Sequence, residues 1–282
     1  MPEATTSDLH FKMNRILPLL LLLIFSPLLR AQTAEDSTVV TRDKTVAQER
    51  NLTLENALLK GWHIRVGAGL SLGGTSPLPL PREIRSIDGY NPTLCISIEA
   101  AVEKRFGQSP WGAMIGLRFE NKGMKTDATT KNYHMEAVNT DGSGTVVGAW
   151  TGHVKTNVDN KYLTIPLLAT YNFNDRWMVK AGPYFSYLLN GSFTGTAYDG
   201  YIRDQVPTGE KAEVSEATYD FSDDLRRFHW GLQAGGEFKA FSHLSVAANL
   251  TWGLNGIFPK DFESVTFSLF PIYATLSFNY LF

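Results

Sequence analysis

The run from Ile272 to Phe282 alternates apolar and polar side chains. Ile272, Ala274, Leu276, Phe278, Tyr280 and Phe282 share one face, and Tyr273, Thr275, Ser277 and Asn279 share the other, with only Leu281 out of pattern. A period of two is the signature of a β-strand, whose successive side chains point to opposite sides. A strand with one wholly apolar face and one small, polar face suits a wall with lipid outside and a polar interior. The expectation is therefore an outer-membrane β-barrel.

Seven further segments alternate in the same way, at residues 62–72, 93–106, 111–122, 159–173, 177–190, 226–241 and 244–254. With the last strand at 270–282 they make an all-β, eight-stranded antiparallel transmembrane up-and-down barrel. Their connections alternate in length. Residues 107–110, 174–176 and 242–243 are tight turns rich in turn formers, whereas 73–92, 123–158, 191–225 and 255–269 are long. Short periplasmic turns, long extracellular loops and periplasmic termini are the expected arrangement. Along the strands the apolar face carries Ile64, Val66, Leu70, Leu94, Ile96, Ile98, Leu163, Ile165, Leu167, Trp230, Leu232, Leu250 and Trp252. The opposite face carries Gly67, Gly69, Ser71, Ser97, Gly112, Gly116, Thr164, Thr170, Gly231, Gly235, Ser245 and Asn249, small enough for a narrow lumen. In water such an apolar belt would be an aggregation hazard, which favours lipid over a soluble barrel. Aromatics gather beside the short turns: Phe106 and Trp111, Phe173 and Trp177, Phe238 and Phe241, then Phe278, Tyr280 and Phe282. They read as an interfacial girdle and terminal insertion signal facing outer-membrane lipid.

Near the start, Met13, Asn14 and Arg15 precede an apolar run from Ile16 to Leu29, and Ala31 follows. The run is too short for a spanning helix, which needs roughly 20 apolar residues, and it contains Pro18 and Pro27. Residues 1–31 thus read as a cleaved export signal, with Met13 the alternative start. Residues 32–60 form a polar periplasmic segment with a short helical pattern at Leu54, Leu58 and Leu59; residues 61–282 form the barrel. A net charge of −2 with mixed signs offers no basic field, so nucleic acid is excluded as a partner. The single cysteine, Cys95, forms no intramolecular disulfide and reads as a small buried residue.

The inward face also carries charge: Arg65, Arg105, Arg118, Lys180 and Lys239 against Glu99, Glu103, Glu120 and Glu237. Either these residues line a conduit or they pair into a plug. The plug is favoured, because buried charges need partners and eight strands leave room for little besides side chains. No histidine or cysteine spacing suits a metal, and no cofactor motif is present. His134, Asp141 and Ser143 could serve a hydrolase or acyltransferase only through a geometry that spacing does not reveal, so a non-enzymatic protein is expected. The loop from Gly191 to Leu225 is acidic and aromatic, with Tyr198, Tyr201, Tyr219 and Phe221 among carboxylates. It is a candidate surface for an envelope protein partner, against the plainer reading of a solvated loop.

The runs from Lys161 to Phe173, Ala181 to Tyr187 and Gly231 to Phe238, together with Phe282, resemble the PorT-like family of outer-membrane β-barrel proteins. The Tyr162-Leu163-Thr164-Ile165-Pro166 strand followed by Gly182-Pro183-Tyr184 carries most of that resemblance. The resemblance implies an eight-stranded barrel inserted by the barrel-assembly machinery, a role as an envelope or secretion accessory, and no catalytic residues. A structural or partner-binding role leads; a narrow channel or transporter for small solutes is the alternative.

Overall fold

The structure, a computed structural model, describes residues 61–139, 145–204, 208–262, 264–265 and 267–282. The expected export signal, the segment at 32–60, and Asp141 and Ser143 lie outside the described residues.

Among the described residues ten strands follow in order: β1 (Trp62–Pro77), β2 (Ile84–Asn91), β3 (Cys95–Arg105), β4 (Trp111–Asn139), β5 (Thr145–Asn172), β6 (Trp177–Asp204), β7 (Lys211–Asp220), β8 (Phe228–Phe241), β9 (Leu244–Gly253) and β10 (Leu269–Leu281). Eight of them, β1, β3, β4, β5, β6, β8, β9 and β10, pair antiparallel in chain order, and β10 pairs back onto β1 from Arg65↔Leu281 to Pro77↔Leu269. As far as Ser71↔Cys95 the ring is closed on both edges of β1, so over that height its backbone groups satisfy one another and need no partner from hydrocarbon. This is the expected eight-stranded up-and-down barrel, and the alternation at residues 272–282 follows the expected faces: Tyr273, Thr275 and Asn279 are buried, while Leu276, Phe278 and Tyr280 are exposed.

The apolar belt ends at one height. Phe119 pairs with Leu163, and one outward row further on Asn121 pairs with Lys161, which pairs with Asn190. Below that row the outward residues are Ile115, Leu117, Phe119, Ile165, Leu167 and Phe185, all exposed; above it they include Lys125, Asp127, Asp159 and Lys155. Crossing a membrane takes about 9–11 strand residues, yet β4, β5 and β6 run for 29, 28 and 28. Their outer halves therefore stand beyond the belt.

Here the structure corrects the sequence reading. Residues 123–158 and 191–225 are not irregular loops: β4 and β5 stay paired from Gly123↔Asp159 to Val138↔Thr145, and β6 continues to Asp204 beside β7. β7 then meets the tip of β4 at Val138↔Thr218 and Asn139↔Ala217, and β2 lies on the flank of β4 from Ile84↔Thr130 to Asn91↔Lys125. The reason is physical. Outside the membrane no lipid demands an apolar face, so the alternation fades although the hydrogen-bonded ladder continues. The extension is held instead by an interior of Trp150, Val154, Val158, Phe193, Tyr219, Phe221, Ile257 and Phe258, in which Phe193 and Phe258 meet edge to face at 5.0 Å.

Two glycines test the narrowness of the barrel. A Cβ on Gly231 would lie 2.1 Å from the Trp252 carbonyl oxygen and 2.8 Å from the Tyr184 ring, whereas one on Gly236 meets only the Met178 carbonyl at 3.9 Å. Gly231→Val is expected to abolish folding and Gly236→Ala to leave it intact, read from the heat-dependent mobility shift of the protein folded into detergent.

Candidate functional site

Two neutral clusters of charge fill the membrane-level lumen. Near the short turns, Arg65 of β1 donates to both oxygens of Glu237 on β8 at 2.7 and 2.6 Å and pairs with Glu103 of β3. Lys180 of β6 reaches the same Glu237 at 3.0 Å, and the Ser245 hydroxyl donates to it at 2.7 Å. Higher up, Arg118 of β4 pairs with Glu99, lies 3.7 Å from Glu120 and donates to the Gln233 side-chain oxygen at 3.0 Å. Glu120 also accepts from Lys122 at 3.1 Å and from the Thr164 hydroxyl at 2.7 Å. Each cluster holds two cations and two carboxylates, the lower drawn from four strands and the upper from β3 and β4, so every buried charge among the described residues has an opposite neighbour, as a low-dielectric site requires.

Lys122 is inward by parity with Arg118 and Glu120, but it lies at the end of the expected strand, where the alternation gives no sign that the ladder continues. It lies 5.2 to 5.7 Å from the rings of Tyr162, Tyr184 and Tyr273, which roof the upper cluster. Two expected members of the network stand apart. Arg105 donates to the Asn172 side-chain oxygen at 2.8 Å, and Lys239 is exposed at the periplasmic mouth, on a strand whose register shifts between Lys239 and Phe241. That mouth is a vestibule of about 320 Å³ bordered by Arg65, Glu103, Arg105, Arg176 and Lys239. Around it stand the girdle aromatics, with Trp111 against Tyr171 at 4.9 Å, Trp177 against Phe238 at 4.7 Å and Tyr280 against Phe282 at 4.9 Å.

The outward face of the extension carries a different chemistry. His153 of β5 stacks on Tyr198 of β6 at 5.2 Å, and the Tyr198 hydroxyl donates to Asp127 at 2.7 Å. Lys155 lies 4.3 Å from the Tyr198 ring, and Lys211 lies 4.3 Å from the Tyr201 ring. Thr129 donates to Asp88 at 2.6 Å and ties β2 to the same patch. The Asp127 carboxylate pushes the Tyr198 hydroxyl up to about 12. The Thr129 and Ser86 hydroxyls hold the Asp88 carboxyl below its ordinary value. Of the aromatics noted between Gly191 and Leu225, Tyr198 and Tyr201 thus lie on this patch, whereas Tyr219 and Phe221 are buried within the extension. The segment is a two-faced sheet rather than a solvated loop. His134 is half-buried on β4, and among the described residues no group of His, Cys, Asp or Glu could hold a metal ion.

Removing the charge in Glu237→Gln strands Lys180 and leaves Arg65 with Glu103 alone; a loss of about 3 kcal/mol in urea unfolding from detergent is expected, the scale for breaking a buried pair. Asp88 is a carboxylate whose folded value is depressed, so its fastening of β2 is complete above the ordinary aspartate range and fades as pH falls through the folded value. Amide exchange in β2 should accelerate there, ahead of β3.

The model of the outer membrane protein beta-barrel domain matches residues 46–259. No curated protein matches the sequence. Among solved structures, the chain is similar to the attachment invasion locus protein Ail of Yersinia pestis, solved in complex with the heparin analogue sucrose octasulfate. That likeness is at 12% identity over 78% of this chain and 97% of that one, with a TM-score of 0.33. Neisserial surface protein A is 12% identical over 79% and 98%, at 0.24. The translocator domain of the autotransporter NalP from Neisseria meningitidis is 11% identical over 84% and 95%, also at 0.24. With three quarters of its length matched by the family model and its strands closed into a ring, the chain belongs to the outer membrane protein beta-barrel domain family.

Proposed function

We propose that this protein is a non-enzymatic envelope component whose barrel is an anchor and whose β-extension is the working surface, binding a protein partner outside the membrane. The observation that carries this reading is the extension itself: three strands more than twice the length a membrane needs, stiffened by pairing and presenting tyrosines beside cations. Tyrosine and arginine are the residues that dominate protein-binding hot spots, and here Arg203 lies 5.4 Å from the Tyr201 ring. A rigid sheet presents them with little ordering cost on binding.

The closed lumen supports an anchor over a solute channel, because both charge clusters and the tyrosine roof would have to open for a solute to pass. The resemblance of the runs at 161–173, 181–187 and 231–238 to the PorT-like family supports a secretion or envelope accessory within this class. Export by the signal at 1–31 and insertion by the barrel-assembly machinery complete the proposal.

The test uses native membranes, brief cross-linking and purification of the tagged chain, comparing wild type with Tyr198→Ala/Tyr201→Ala. A stoichiometric partner retained by wild type and reduced at least about 30-fold in the double variant, the scale of a hot spot worth 2 kcal/mol, is expected. A partner held equally by both forms, or discrete conductance of the wild type in planar bilayers, would overturn the reading.

A further inference from the structure

The barrel wall has a seam at the outer boundary of the membrane. β1 pairs with β3 only as far as Ser71↔Cys95, although its other edge stays paired to β10 through Pro77↔Leu269. Beyond Ser71 this edge of β1 has no ladder partner among the described residues, for β2 takes the place of β3 on β4 and pairs with β4 rather than with β1. Between the edge of β1 at 72–77 and the edge of β2, side chains replace the backbone ladder. The Tyr90 hydroxyl of β2 donates to the Gly73 carbonyl at 2.7 Å, and the Thr75 amide donates to the Met124 sulfur of β4 at 3.2 Å.

Behind that seam lies a cavity of about 350 Å³. Gly74 and Thr75 of β1, Ile87 and Tyr90 of β2, Met124 and Ala128 of β4, and Phe193 and Tyr219 line it. Among the described residues no charged one lines it. Three of its hydroxyls are engaged within the protein: Thr130 donates to the Gly152 carbonyl at 3.1 Å, and Thr156 and Tyr219 bond each other at 2.7 Å. A mainly apolar cavity with few polar groups turned to it gives water little to hold and favours hydrocarbon; an engineered apolar cavity of about 150 Å³ stays dry and takes up benzene. The rim is apolar as well. Leu72, Leu80, Ile87 and Leu94 are exposed around the mouth and continue the lipid-facing belt of Leu70, Ile96 and Ile98.

We propose that this cavity is a binding site for a single uncharged alkyl or acyl chain of about a dozen carbons, scaled from that benzene cavity, which enters sideways from the membrane surface through the β1–β2 seam, with Tyr90 as its latch. Lys122 and its three tyrosines, which cap the upper charge cluster, do not line the cavity, so the site is distinct from the charged lumen. The inference goes beyond the proposed partner surface and shares no residue with it: the outward patch at Tyr198 and Tyr201 does not border the cavity.

The experiment uses the full chain in lipid nanodiscs with a twelve-carbon alcohol bearing a terminal diazirine, photolysed and mapped by mass spectrometry. Adducts at residues 124–130, suppressed by excess plain dodecanol, are expected, together with adducts on the belt that dodecanol does not suppress. Ala128→Trp, which fills the cavity, should lower the adducts at 124–130 at least tenfold with belt labelling unchanged. Tyr90→Phe should label the same residues at a higher rate. A second arm places the diazirine in a phospholipid tail: cavity adducts there identify a membrane lipid as the source, and adducts from the alcohol alone identify a free solute. Adducts confined to the belt in both arms, or cavity labelling undiminished in folded Ala128→Trp, would overturn the proposal. Should Ala128→Trp not fold, the dodecanol competition in wild type decides: labelling at 124–130 that excess dodecanol leaves unchanged overturns it.

Discussion

Within hydrocarbon no water is available to an amide or a carbonyl, and each unpaired group costs several kcal/mol. The pairing of β10 onto β1 answers that demand, and the rest of the membrane-level architecture follows from it. Closure with eight strands leaves an interior that admits side chains and little else. Glycine, serine and threonine therefore line the wall wherever larger groups cross, and the charges that do cross must find each other at short range. Glu237 makes this plain: it takes two oxygens' worth of Arg65, the Lys180 ammonium and the Ser245 hydroxyl, a concentration of donors that only strands on several sides of a narrow tube can supply.

Along the barrel axis the interior changes character twice. Charge pairs fill the part at membrane level, a tyrosine layer around Lys122 follows, and an aromatic and aliphatic packing occupies the extension. The order is the reverse of what the outside does. Where the outer face is apolar the interior is polar, and where the outer face turns polar, beyond Phe119 and Leu163, the interior becomes the hydrophobic core. Each level thus has one apolar side, first against lipid and then against itself, so a single sheet is stabilised in two solvents.

That inversion also explains what could be read from the chain. β1, β3 and β10 were legible because lipid sharpens the contrast between neighbours, as between Leu276 and Ser277. In the extension the contrast is Lys125, Asp127 and Thr129 against Met124, Thr126, Ala128 and Thr130, and a pattern so diluted reads as a loop. Parity fails there too. Tyr198 and Tyr201 face outward, while Ala197 and Ile202 are buried, because Asp199 takes a left-handed φ of 47° and the register shifts beside it. A residue-by-residue count across that point assigns the wrong face. Lys122 was missed for a simpler reason: the apolar alternation stops with the membrane, and the strand does not.

An unpaired strand edge in an exposed position invites another copy of the chain to add to it. The edges that flank the seam are poor templates. β1 ends in Pro77, which has no amide hydrogen to offer a neighbour. β2 is only eight residues long and irregular between Ile84 and Ser86 and again between Ile87 and Gly89, so it offers no straight row of donors and acceptors. A second chain docking there would find neither register nor length. The interruption in the wall can therefore persist in a crowded membrane as a break that excludes backbone, leaving the protein with a gap in its sheet and yet without a site for edge-to-edge polymerisation.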